Sequence, residues 1–133
     1  MNLTKVSCGL TGCLFAALLS GCVVVTDSSE PDPGTIDVNI TIDGADDFLV
    51  CDDFRVDEIE VVVIGHNEFA ATTDCNDLGI TLDGVPPGTY DVQVTLLDGG
   101  RQVSDPGIAR DVHVSSGGVV SIDVDFPAST IDP

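Results

Sequence analysis

The chain reads as an all-β sandwich, on three observations. Apolar and polar residues alternate with period two in several windows. Glycine- and proline-rich turn signals separate those windows. Past residue 22 no window carries the 3.6-residue period of an amphipathic helix. In the first window Ile36, Val38, Ile40 and Ile42 alternate with Asp37, Asn39, Thr41 and Asp43, which gives a strand one dry face and one wet face. Glu58–Ile64 is nearly continuous in apolar residues and fits a central strand. Residues 69–73, 79–82 and 109–114 are shorter candidates. Over 89–97, Tyr90, Val92, Val94 and Leu96 point inward, while Asp91, Gln93 and Thr95 point outward. Asp98-Gly99-Gly100 then separates this strand from 101–104 and predicts a hairpin. Near the end Val120, Ile122, Val124 and Phe126 face in, and Ser121, Asp123 and Asp125 face out. Asp43-Gly44, Asp83-Gly84, Pro86-Pro87-Gly88, Pro106-Gly107 and Gly117-Gly118 punctuate the remainder. Strands at this spacing, about seven of them, predict a two-sheet antiparallel sandwich. The outward aspartates discourage edge-to-edge pairing of so β-branched a sheet.

Ahead of this domain, residues 1–21 have the layout of a secretory signal. Lys5 and the amino terminus supply positive charge, residues 10–19 are apolar, and Ser20 and Gly21 are small. Leu19-Ser20-Gly21-Cys22 resembles the lipobox of bacterial lipoproteins. The resemblance implies that Cys22 is lipidated and becomes the first mature residue, and that Val23 after it favours the outer membrane in a Gram-negative host. Two alternatives stay open: signal cleavage without lipid, although no Ala-x-Ala site is present, and an uncleaved anchor helix, since residues 6–26 are uncharged. Several acyl chains hold a protein stably where one holds it marginally. Residues 22–34 read as the lipidated cysteine and a flexible acidic linker, with two prolines and little to bury. At roughly 3.3 Å per residue it lifts the domain up to about 40 Å. Residues 35–126 form the sandwich, and residues 127–133 read as a loose C-terminal tail.

Composition narrows the function classes. Of 133 residues, four are basic and 23 acidic. Lys5 leaves with the signal, so Arg55, Arg101 and Arg110 face all 23 acidic residues, a formal charge of −20 for the mature chain. Such a surface repels nucleic acid and anionic headgroups, whose recognition needs Lys and Arg. It suits solubility, divalent cations or a salty medium. The absence of Trp and the scarcity of aromatics argue against a stacking platform for sugars or bases.

Five cysteines sort cleanly. Cys8 and Cys13 lie in the signal, and the lipobox resemblance assigns Cys22 to lipid. Cys51 and Cys75 remain, an even pair in an exported protein, and a disulfide between them is expected. It closes a loop of about 25 residues, worth roughly 3 kcal/mol in the chain-entropy account, which matters to a small core. Two sulfurs so far apart, with no CxxC or His pair, make a poor zinc site.

Residues 80–94, Ile-Thr-Leu-Asp-Gly-Val-Pro-Pro-Gly-Thr-Tyr-Asp-Val-Gln-Val, are similar to a hairpin of carboxypeptidase-regulatory-like and prealbumin-like seven-stranded, Ig-like domains. The resemblance implies that fold and an accessory or adhesive role, because fold alone does not assign a function. In this motif the Pro-Pro-Gly bend turns the chain and Tyr90 enters the edge of the core, its hydroxyl placed to reach backbone.

No catalytic constellation is evident. Asp111, His113 and Ser115 share the outward face of one strand, where alternate residues stand side by side and do not converge on one proton. Neither a phosphate loop nor an HExxH motif occurs. Calcium is the metal to weigh. A Cys51–Cys75 bridge draws Asp52, Asp53, Asp74 and Asp77 toward one another, and clustered carboxylates invite a cation. The run from Asp74 starts like a calcium loop, but Leu78 stands at a ligand position and no closing Glu follows. These residues together predict a lipid-anchored, exported accessory or interaction module without catalytic activity and without a bound cofactor. It is membrane-held through Cys22, has an envelope protein or polysaccharide as partner, and does not bind nucleic acid. The alternative is a calcium-dependent adhesion or matrix-binding module.

Overall fold

A computed structural model of the chain describes residues 29–132. The signal, the lipobox with Cys22 and the start of the linker lie outside the described residues. Eight strands and one short helix follow in order: β1 (Gly34–Ile42), α1 (Leu49–Asp53), β2 (Glu58–Ile64), β3 (Phe69–Asp74), β4 (Gly79–Val85), β5 (Gly88–Asp98), β6 (Arg101–Gln102), β7 (Gly107–Val114) and β8 (Val119–Phe126). One sheet runs β4-β1-β8. The other runs β3-β2-β5, with β6 and β7 along the free edge of β5. The two sheets enclose one core.

The alternation read from the sequence sets that core. Ile36, Val38, Ile40 and Ile42 of β1 are buried, as are Ile59, Val61 and Val63 of β2, Tyr90, Val92, Val94 and Leu96 of β5, and Val124 and Phe126 of β8. β2 lies between β3 and β5, the central place its apolar run predicts. Two tight turns take the backbone through the left-handed region. Asp43 and Gly44 have φ of 51° and 74°, and Gly99 and Gly100 have 57° and 79°. Two successive positive values make the hairpin turn whose twist matches the flanking strands, and Gly or Asp tolerates them. The hairpin expected at Asp98-Gly99-Gly100 forms there, with Asp98 opposite Arg101.

Tyr90 closes the corner between β4 and β5. Its ring is buried, and its hydroxyl donates to the Pro86 carbonyl at 2.6 Å. Immunoglobulin-like sandwiches carry a tyrosine of this kind at a strand corner. Tyr90→Phe keeps the ring and leaves the Pro86 carbonyl without this donor. We expect a loss of about 1 kcal/mol, read as a lower urea midpoint with an unchanged m-value.

The structure corrects the sequence reading in several places. The sandwich is not wholly antiparallel: β8 returns beside β1 and runs parallel to it, in register from Thr35↔Val119 to Ile42↔Phe126. The cause is the sheet change after β7. The Ser115–Gly118 turn reverses the chain as it crosses to the other sheet, so β8 arrives heading the same way as β1. Eight strands stand among the described residues where about seven were expected, and the chain leaves the sheet at 103–106, between β6 and β7. Pro106 has no N–H to donate, and the Ser104 hydroxyl accepts from the Leu96 N–H at 3.0 Å. Thr95, expected in water, is buried.

Residues 127–132 are docked, not loose. A 3₁₀ turn at Ala128–Thr130 leads to Ile131, which joins the core cluster and bridges to Ser104. The Asp132 N–H donates to the Val103 carbonyl at 2.7 Å, and the Asp105 N–H donates to the Thr130 carbonyl at 3.0 Å. At the other end, the linker meets the domain before Gly34. The Asp32 carbonyl accepts from the Ser116 hydroxyl and the Gly117 N–H, both at 3.2 Å.

Candidate functional site

The strand registers define two poles. At one lie the start of β1, the end of β2 and the start of β8; the polypeptide enters the domain here. At the other lie the ends of β1, β3, β5 and β8 and the start of β2. The segment between Ile42 and β2 covers this second pole, and it contains α1.

The Cys51–Cys75 disulfide holds that segment down. The bridge forms as expected, with a Cα–Cα distance of 6.0 Å. It ties α1 to the 3₁₀ turn Cys75–Asp77 after β3, and both cysteines are fully buried. Val50, Cys51 and Val56 face the core, and the Val56 N–H donates to the Cys51 carbonyl at 2.8 Å. A single helical turn cannot place consecutive residues all on one side. With Val50 and Cys51 inward, Phe48 and Leu49 stand outward, 56% and 54% exposed. Their backbone is ordered from both sides. The Asp47 carboxylate accepts the Leu49 N–H at 3.0 Å, and the Phe48 carbonyl accepts the Cys51 N–H at 3.2 Å. Asp43, Asp46, Asp47, Asp52 and Asp53, all exposed, flank the pair.

This apolar pair escaped the sequence reading. Its one signal was the apolar run Phe48-Leu49-Val50-Cys51 between two aspartate pairs in a stretch without periodicity, and that signal does not tell core from surface. Among the aromatic residues described, Tyr90 and Phe126 are buried and Phe54 and Phe69 are partly covered, so Phe48 is the ring left in water. Other exposed apolar residues are scattered. Ile64 and Ile108 stand on the outer face of the β2-containing sheet, and Val119 at the entry pole. Single residues of this kind are ordinary on a protein surface.

The proposed calcium residues do not assemble. Among the described residues no group of three or more His, Cys, Asp or Glu side chains is placed to hold a metal. Asp74 instead caps the 3₁₀ turn, accepting the Asn76 N–H at 2.9 Å, and Asp77 accepts the Thr73 hydroxyl at 2.7 Å. Asp52 and Asp53 lie on α1, exposed to solvent. We expect millimolar Ca²⁺ to leave the melting temperature where EDTA leaves it; a rise in differential scanning calorimetry would reinstate the site.

Asp111, His113 and Ser115 are exposed beside one another, with Val112 and Val114 inward. A bulge sets Arg110 and Asp111 opposite Asp91. Asp111 takes a φ of 54°, and its N–H donates to the Asp91 carboxylate at 3.1 Å. Asp111 therefore takes part in the bulge, and the structure gives no hydrogen bond joining it to His113 or Ser115.

The outer face of the β4-β1-β8 sheet carries a polar lattice. Asp83 accepts from Thr35, Asp37 from Thr81, Asp123 from Asn39, and Asp125 from both Thr41 and the Gly44 N–H. Among the described residues the surface also carries two shallow grooves. One, of about 250 Å³, lies between Arg101–Asp105 and the C-terminal segment. The other, of about 430 Å³, is lined by Pro31, Pro33, Pro86 and Pro87 at the entry pole. The first groove is lined by Ser104, Asp105, Thr130 and Asp132 among others; the Ser104 hydroxyl is engaged by the Leu96 N–H, and the Thr130 hydroxyl donates to the Pro127 carbonyl at 2.7 Å.

No protein-family model matches the chain, and no curated protein matches it in sequence. Among solved structures the chain is similar to a DUF4876 family protein from Bacteroides thetaiotaomicron, at 20% identity and a TM-score of 0.43, over 70% of this chain and 23% of that one. It is also similar to a type II cohesin–X-dockerin complex from Acetivibrio cellulolyticus, at 17% identity and a TM-score of 0.48, over 74% of this chain and 55% of that one. The chain thus spans about a quarter of the first protein and about half of the second. Neither likeness is close enough to carry a reading of fold or function across. The described residues form a two-sheet β-sandwich with one disulfide among them.

Proposed function

We propose that the protein is a non-catalytic interaction module of the bacterial cell envelope, exported and lipid-anchored through Cys22, that presents the Phe48–Leu49 turn to a partner. The observation that carries this reading is the position of that turn. It is exposed, apolar and tied down by a disulfide, and it sits at the pole opposite the one where the N-terminal segment enters. Exposed apolar residues that are ordered before binding lose little conformational freedom when a partner covers them. The lipobox residues and the disulfide both fit an exported protein.

Two measurements test the reading. Intact mass of the membrane-extracted protein is expected to start at Cys22 with acyl groups added; a mass that retains residues 1–21 would sink the anchor. A photo-crosslinking phenylalanine analogue at position 48, in intact cells, is expected to yield a discrete adduct. The same analogue at Ile108 or Val119 is expected to yield none. Adducts at 108 and not at 48 would move the contact surface to the sheet face.

A further inference from the structure

We propose that the Phe48–Leu49 turn docks on a protein surface whose apolar pocket is rimmed by lysine and arginine. This rests on the reading that the second pole is the contact surface, and it adds the chemistry of what is contacted. The turn has an apolar centre and an acidic border. Phe48 and Leu49 supply the centre. Asp43, Asp46, Asp47, Asp52 and Asp53 supply five exposed carboxylates within six residues of it on either side, and Arg55 is the one cation in the same segment. Aromatic anchors surrounded by polar residues are the usual form of a binding hot spot. The surrounding charge selects the partner and speeds its encounter.

That border also decides among occupants. A second copy of this chain would bring the same carboxylates to the contact, on a mature chain of formal charge −20. Anionic lipid headgroups and acidic proteins meet the same repulsion. A cationic surface gains attraction at the rim without burying the carboxylates, so they avoid the cost of desolvating a charge. The centre then goes into a pocket already ordered on this side by the Cys51–Cys75 bridge and the Asp47–Leu49 hydrogen bond.

The test uses the full chain with Cys22→Ser, which removes the lipid and leaves every residue of the domain in place. The probes are three fluorescent amphipathic peptides of one length, built from Lys and Leu, Glu and Leu, or Lys and Ser, read by anisotropy. The Lys/Leu peptide is expected to bind, more weakly as salt rises, and roughly 30-fold or more weaker to F48S/L49S. D46N/D47N/D52N/D53N is expected to weaken it about tenfold. The Lys/Ser peptide is expected to bind the parent and F48S/L49S alike. Unchanged thermal unfolding of both variants shows that they are folded. The proposal is overturned if Lys/Leu does not bind, if F48S/L49S binds it as tightly as the parent, or if Glu/Leu binds as well. Binding to phosphatidylglycerol vesicles with the same dependence on Phe48 and Leu49 would assign the surface to a membrane and overturn it equally. Failure here with a persisting crosslink at position 48 would leave the interaction reading standing and remove only the cationic partner.

Discussion

Replacing Cys51 and Cys75 together by alanine lowers the stability of the domain by about 3 kcal/mol, the loop-closure contribution of a bridge spanning about 25 residues. For a domain of this size that is a fall in melting temperature of roughly 12–24 °C. Both sulfurs are buried among apolar neighbours, so removing the bridge also loosens the contact between α1 and the turn that follows β3. The loss is therefore not uniform. α1 is a single turn, too short to persist on its own, and we expect its amides to lose hydrogen-exchange protection first while those of β1, β2 and β5 keep theirs. Calorimetry of the double variant, alongside the reduced parent protein, checks the magnitude, and exchange measured by mass spectrometry checks the location. Equal loss of protection over the whole domain would mean that the bridge braces the sandwich and not the polar segment.

Deleting residues 127–133 costs about 2–3 kcal/mol. Ile131 is buried, and Val103 lies beneath the backbone bond from Asp132. Full burial of an isoleucine side chain contributes roughly 1.5–3 kcal/mol, and each backbone hydrogen bond about 1 kcal/mol. The cost of ordering the segment offsets part of this. Ile131→Ala alone is expected to lose most of the effect and Ser129→Ala, exposed on the 3₁₀ turn, very little. Urea unfolding of the three proteins orders them. A truncated chain as stable as the parent would return the segment to the loose tail that its composition suggests.

The strands were legible because a half-buried strand writes its two faces into alternate residues, as in Ile36, Val38, Ile40 and Ile42, or Tyr90 to Leu96. Turns were legible where backbone geometry requires particular residues, as at Gly99 and Gly100. Periodicity reports which face is dry but not which strand lies alongside, so the parallel partnership of β1 and β8 was hidden. It was equally silent on α1, whose five residues are too few for a 3.6-residue period to repeat and show itself. The C-terminal segment docks into a gap made by the break at Ser104 and Pro106, and that gap exists only once the fold is assembled. The carboxylates near the cysteines are not gathered into one group: Asp74 and Asp77 turn to Asn76 and Thr73, while Asp52 and Asp53 lie exposed on α1. The bridge brings backbone segments together, but it does not aim their side chains.

β1 has a mechanical consequence. It is flanked on both sides, antiparallel to β4 and parallel to β8, and its ends point to opposite poles. The N-terminal attachment lies just before Gly34, and Phe48 follows shortly after Ile42. A pull applied between the N-terminal side of Gly34 and Phe48 therefore runs along this one strand. The ladder bonds on both flanks lie across that pull, so they are stressed together in shear and cannot be peeled apart one at a time. Survival under such tension is set by the rate of unfolding and not by the equilibrium free energy. On the proposed reading, the strand that joins the N-terminal side of the domain to the Phe48–Leu49 turn is the one braced on both sides within its sheet, and a small domain anchored at one end and held at the other would resist drag.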